Sequence, residues 1–132
     1  MKNAEYYQTS LKRPSWAPPA KVFGPVWTFL YILIAISFGT VFEKGLQGVV
    51  PFAIVLPFIL NIIFNLLYTP IQFKLKNNYL ALLDILLVLA TLIWALIVIH
   101  PYYSFVTYIN IPYMLWVTFA TILQISITRL NR

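Results

Sequence analysis

Four stretches with little or no charge, at about 22–42, 49–73, 80–99 and 102–127, take up most of this chain. Each is close to the roughly 20 apolar residues that carry an α-helix across the hydrocarbon core of a bilayer. In lipid every backbone N–H and C=O has to be paired within the structure, so an apolar span of this length is a helix. The expected fold is therefore all-α, an integral membrane bundle with four transmembrane helices. The breaks are short: Glu43 to Gly48 holds two glycines, Lys74 to Asn78 is polar, and His100-Pro101 separates the last pair. Short connections make sequence neighbours antiparallel, which predicts an up-and-down bundle.

Composition agrees. Hydrophobic residues make up 61% of the 132 residues and charged ones only 9%, where a soluble domain carries about a quarter. A soluble chain this small has no way to bury so much apolar surface. Cysteine is absent, which removes disulfides, thiolate catalysis and thiolate metal sites. Met1 to Lys21 has no apolar run after its first lysine and does not read as a cleaved signal peptide.

Of the nine basic residues, Lys2, Lys12, Arg13, Lys21, Lys74, Lys76, Arg129 and Arg132 map to one side of the four spans and only Lys44 to the other. The bias of Lys and Arg toward the cytoplasmic side puts both termini there. It also accounts for the net charge of +6 without nucleic acid as a partner. The chain divides into a cytoplasmic segment and Pro/Trp collar at 1–21, a membrane bundle at 22–128 and a short cytoplasmic tail at 129–132. Pro14, Pro18 and Pro19 make the collar extended or turned. Pro25 is placed near the start of its helix, where a missing N–H costs least. Trp16, Trp27 and several tyrosines fall near span ends, as in an interfacial aromatic belt.

The polar residues inside the spans must face other helices or a cavity. Asn61 and Asn65 are four residues apart, and Tyr68 and Gln72 continue the same stripe. Asp84 lies about one turn into the third span, and Tyr113, Trp116, Ala120 and Gln124 make a stripe on the fourth. Amides of this kind bond across helices as packing devices, or line a pocket. A cavity walled by Trp and Tyr with a few amides suits a flat, mostly apolar ligand with polar groups. Pro51, Pro57, Pro70 and Pro112 are candidate kinks, although Pro51 also suits a helix start. His100 stands alone in a loop, and Glu5, Glu43 and Asp84 are too scattered for a catalytic carboxylate pair. Ordinary hydrolysis or group transfer has no apparatus here.

Three blocks, KRPSWAPPAKVFGPVWTFLY (12–31), LNIIFNLLY (60–68) with the later Asp84, and PYMLWVTFATILQISITRLN (112–131), resemble the TspO/MBR family of tryptophan-rich sensory proteins. The resemblance implies a helical membrane bundle that binds tetrapyrroles, some members being associated with light-dependent porphyrin breakdown; the leading expectation here is a receptor or sensor. Its ligand would be a porphyrin such as protoporphyrin IX, with no cofactor required and the lipid bilayer as solvent. It matches Trp16 to the loop tryptophan and Trp27 and Tyr31 to an aromatic pair. Asn65, Tyr68 and Gln72 match a pocket-facing row, and Trp116 and Ala120 the ligand-facing part of the last helix. With the stripes above, Asn61, Asp84, Tyr113 and Gln124 complete the expected ligand-binding set.

The family norm is five helices, with one ahead of the collar, whereas about eleven polar residues precede it here. A short form of this kind would leave one flank open and is expected to form a homodimer. Ile125 and Ser126 stand where an aromatic residue often follows the FAT segment, so light-dependent porphyrin breakdown lacks its second aromatic. Leu123 to Arg129 has no central Tyr, so that sterol-recognition pattern is not met. Gln124 replaces a frequent Asn. A small four-helix transporter built on Asp84 is the other alternative.

Overall fold

A computed structural model describes residues 6–131; Met1–Glu5 and Arg132, and with them Lys2 and Glu5 of the charge pattern, lie outside the described residues. Four helices long and apolar enough to cross a membrane are present, and no strand occurs among the described residues. They are α1 (Ala20–Leu46), α2 (Phe52–Thr69, prolonged by a π-helical turn, Pro70–Lys74), α3 (Asn78–Ile99) and α5 (Ile111–Leu130), with a short α4 (Ser104–Ile109) between the last two. A further π-helical turn, Tyr6–Ser10, precedes the collar. The protein is a multi-pass integral membrane protein.

The prolines punctuate these elements. Pro19 and Pro51 stand immediately before α1 and α2 with extended backbone, where their fixed φ suits the junction and no helical N–H is lost. Pro112 lies in the first turn of α5, so it starts a helix and does not kink one. That changes the expected fourth span: 102–127 is not one helix. Asn110 separates α4 from α5, donating from its side chain to the Val106 carbonyl at 2.8 Å and to Ser37 Oγ of α1 at 2.9 Å. The first span is also longer than 22–42, because Glu43 to Leu46 stay helical and the break falls at Gln47 to Pro51. This puts Pro25 on the second turn of α1, beyond the turn where an N–H is dispensable. The carbonyl it leaves without a helical donor belongs to Lys21, an exposed residue.

Pro70 ends regular α2, because it has no N–H to offer the carbonyl four residues back. The chain continues through a wider turn closed by Leu75 N–H to the Pro70 carbonyl at 2.9 Å. The turn finishes at Lys76, the one non-glycine residue with positive φ (52°) among the described residues. Asn77 then caps α3, its side chain accepting from Leu80 N–H at 3.0 Å.

The main core runs through the bundle around Phe38, Phe58, Val88, Leu92 and Tyr113. α3 packs along both α2 and α5, whereas α1 is held more lightly. A second, smaller core at the collar end gathers Tyr7, Leu11, Leu123 and Ile127. The collar meets the residue that follows α5 there: Lys12 N–H donates to Asn131 Oδ1 at 3.1 Å and Asn131 Nδ2 returns a bond to the Lys12 carbonyl at 2.8 Å.

Candidate ligand cavity

Hydrogen bonds across the bundle set the cavity wall. Tyr31 on α1 donates to Asn65 Oδ1 on α2, Asn65 Nδ2 donates to Tyr113 on α5, and Tyr113 donates to Asn61 Oδ1, each at 2.8 Å. Asn61 Nδ2 ends the chain on the Val88 carbonyl and Thr91 Oγ1 of α3, at 2.9 and 3.2 Å. The donors all run one way, so each bond polarises the next. Nearer the collar, Tyr68 donates to Gln124 Oε1. Gln124 Nε2 reaches Thr128 Oγ1 at 3.2 Å, and Gln72 Nε2 donates to Asn78 Oδ1 at 2.9 Å. Two polar clusters therefore tie α2, α3 and α5 together, with α1 joined through Tyr31.

Between them, at the collar half of the bundle, lies a cavity of about 370 Å³ lined from α1, α2 with its π turn, α3, α5 and the N-terminal segment, within the 300–1,000 Å³ typical of small-molecule sites. Trp27 and Trp116 meet edge to face with centroids 6.5 Å apart, and Phe23 lies 5.7 Å from Trp116. Trp27 also lies against Tyr31 at 5.3 Å. Gly24 adds an open patch of wall, since a Cβ there would meet nothing within 4 Å. Two lining side chains have buried polar atoms without a hydrogen-bond partner among the described residues: Gln72 Oε1 and Trp116 Nε1. An acceptor and a donor left unpaired in an apolar site are costly, and a ligand with a ring N–H and a ring or edge acceptor has the groups to satisfy them.

Of the residues expected from sequence, Trp27, Tyr31, Asn65, Tyr68, Gln72, Trp116, Ala120 and Gln124 line this cavity. The other four do not. Asn61 and Tyr113 are buried in the hydrogen-bond chain behind the wall, 1% and 0% exposed. Asp84 is buried beside the lining residue Ile85, with Oδ2 unpartnered among the described residues. Trp16 is half exposed on the collar, its ring 5.8 Å from Phe119. The sequence reading missed Phe23, one helical turn before Trp27, which spacing alone could have found. It also missed Tyr7 and Leu11, which close the collar end of the cavity. Tyr7 donates to the Pro18 carbonyl at 2.8 Å, and burial pushes its phenol up from the ordinary value while the neighbouring Arg13 opposes the shift.

The sequence matches the family described as TspO/MBR over residues 1–130. The chain belongs to the TspO/MBR family. Among its relatives is the tryptophan-rich protein TspO of Bacillus cereus, 35% identical over 122 residues that cover 92% of this chain and 78% of the relative. The uncharacterized membrane protein YtaB of Bacillus subtilis is 36% identical over 128 residues, 96% of this chain and 81% of the relative. The translocator protein of Homo sapiens is 31% identical over 129 residues, 95% and 75% of the two chains. In this TspO/MBR chain each of the three blocks that carry the resemblance contributes to the cavity lining, with Trp27 and Tyr31 from the first, Asn65 and Tyr68 from the second and Trp116 and Ala120 from the third.

Proposed function

We propose that this membrane protein is a receptor or sensor that holds a porphyrin-like tetrapyrrole in the cavity between α1, α2, α3 and α5. The supporting observation is the lining itself: flat aromatic faces from Trp27, Tyr31, Tyr68 and Trp116 converge with the amides of Asn65, Gln72 and Gln124. A tetrapyrrole ring is flat, apolar over most of its area and polar at its nitrogens and edges, so its chemistry is complementary. The name of one relative, a tryptophan-rich sensory protein, agrees with the sensor part of this reading. Among the described residues no group of His, Cys, Asp or Glu is placed to hold a metal ion, and the reading needs none.

The orientation belongs to the same proposal. Lys12, Arg13, Lys21, Lys74, Lys76 and Arg129 stand at the end where Lys12 meets Asn131, which the bias of basic residues assigns to the cytoplasmic face.

Titration of protoporphyrin IX into the detergent-solubilised protein tests the reading. Saturable quenching of tryptophan emission is expected, with affinity lowered about tenfold in Trp27→Ala by loss of a stacking face. A linear, non-saturating response indistinguishable from that of empty micelles would overturn it.

A further inference from the structure

We propose that the ligand enters and leaves the cavity sideways, through a slot between α1 and α2 bounded by Gly24, Tyr31, Asn65 and Thr69. This route rests on the cavity reading above, and it makes the bilayer, not the water at either face, the source of the ligand.

Exposure of the lining residues locates the slot. Among the described residues, Gly24, Tyr31 and Thr69 are the exposed members of the lining, and they belong to α1 and α2 alone. The two helices converge at the end away from the collar, where a Cβ on Gly45 would lie 2.8 Å from Val55 Cγ2 and the Phe38 and Phe58 rings meet at 4.8 Å. Closer to the collar the Tyr31 hydroxyl still reaches Asn65, in a bond that is itself exposed. Beyond that bond the flank of Gly24 is open, with nothing within 4 Å of a Cβ placed there. Gly24 and Tyr31 are seven residues apart, about 10 Å along a helix axis, which is ample height for the edge of a flat ring.

The other sides of the cavity are shut. Phe23 and Trp27 of α1 pack on Trp116 of α5, and the bonds from Tyr68 and Gln72 close the wall between α2, α3 and α5. At the collar end Tyr7 and Leu11 are buried with Leu123 and Ile127 in the second core, and Asn131 holds Lys12 by two hydrogen bonds. Passage there requires a packed core to open. Passage between α1 and α2 requires only that one exposed hydrogen bond give way.

The slot faces hydrocarbon. It lies within the spans Ala20–Leu46 and Phe52–Lys74, and Ile32 and Leu66, which follow the bonded Tyr31 and Asn65 in sequence, are exposed apolar side chains that lipid solvates. A flat apolar molecule dissolved in the membrane therefore meets the opening directly. α1 is also the helix best placed to widen it, being lightly held by its neighbours. Its Gly24-Pro25 step already lacks one helical hydrogen bond, so bending is cheapest beside the slot.

Because the chain has no cysteine, an introduced thiol reports alone. Full-length Gly24→Cys in lipid vesicles is capped with a bulky alkyl methanethiosulfonate, either empty or after loading with protoporphyrin IX, and the cap is later removed by reduction. Capping should slow both uptake and release of the porphyrin at least about tenfold, the effect of a barrier raised by about 1.4 kcal/mol, and reduction should restore both rates. A cap that merely filled the cavity would speed release, so slowing in both directions is specific to a blocked mouth. Thr69→Cys gives the same comparison from the α2 side should Gly24→Cys not fold. A disulfide in Lys12→Cys/Asn131→Cys, which ties down the collar, should leave both rates unchanged. The proposal is overturned if the reagent fails to reach the thiol in the membrane, if capping leaves the rates alone or speeds release, or if the collar disulfide slows exchange instead. Saturable porphyrin binding alongside any of these results leaves the cavity reading standing, whereas no saturable binding to the native protein sinks both.

Discussion

Asn61 and Asn65 occupy one face of α2, yet only Asn65 reaches the cavity. The difference is set by their partners. Asn61 is taken up by Tyr113 of α5 and the Val88 carbonyl of α3, while Asn65 spans from Tyr31 to Tyr113. Tyr113 is the hinge of that chain, and its hydroxyl both accepts and donates. Tyr113→Phe should strand Asn61 Oδ1 in the core and destabilise the protein by about 1–2 kcal/mol, the usual cost of a lost interhelical bond in a membrane. Thermal unfolding in detergent reads this as a lowered midpoint; an unchanged midpoint would show that the chain contributes nothing. Sequence spacing shows that the two amides share a face. It does not show which of them a neighbour will claim, because that depends on one tyrosine, Tyr113, roughly fifty residues further along the chain.

At the scale of elements, the spans were legible because the bilayer imposes them: length and apolarity decide a transmembrane helix almost alone. Two features were not. The break at Asn110 comes from a side chain that bonds back to its own helix and across to Ser37, a tertiary contact with no periodic signal. The N-terminal turn that packs Tyr7 and Leu11 into the second core is a polar stretch with no pattern to mark it. The α1–α2 junction gives a test at this scale. A Cβ on Gly45 would lie 2.8 Å from Val55 Cγ2, and Gly48 has φ 75°, so the sharp return of α2 beneath α1 depends on both glycines. Gly45→Ala should destabilise by about 1–2 kcal/mol through overpacking. Val55→Ala placed beside it should restore part of that loss, because the clashing methyl is gone. Simple additivity of the two changes would refute the close approach as the cause.

For the whole molecule, the main apolar core adjoins the cavity through Ile85 and Val88, which belong to both, and the smaller collar-end core lines the cavity through Tyr7, Leu11, Leu123 and Ile127. The core around Phe38, Phe58 and Leu92 fixes the helices, and the collar end closes over the space they leave. Of the expected site residues, eight line the cavity, Asn61 and Tyr113 brace its wall, and Trp16 and Asp84 lie outside the lining. If the cavity is the ligand site, filling it must abolish binding without harming the fold. Ala120, half-buried in the lining on α5, is the place to do this, since a phenyl ring there takes up space that the ligand requires. The decisive measurement is equilibrium binding of protoporphyrin IX to Ala120→Phe beside the native protein, with helical content and unfolding midpoint recorded for both. The account predicts at least about a tenfold loss of affinity, equivalent to about 1.4 kcal/mol, in a protein that remains folded. Native affinity in a folded Ala120→Phe would contradict it and place the porphyrin elsewhere.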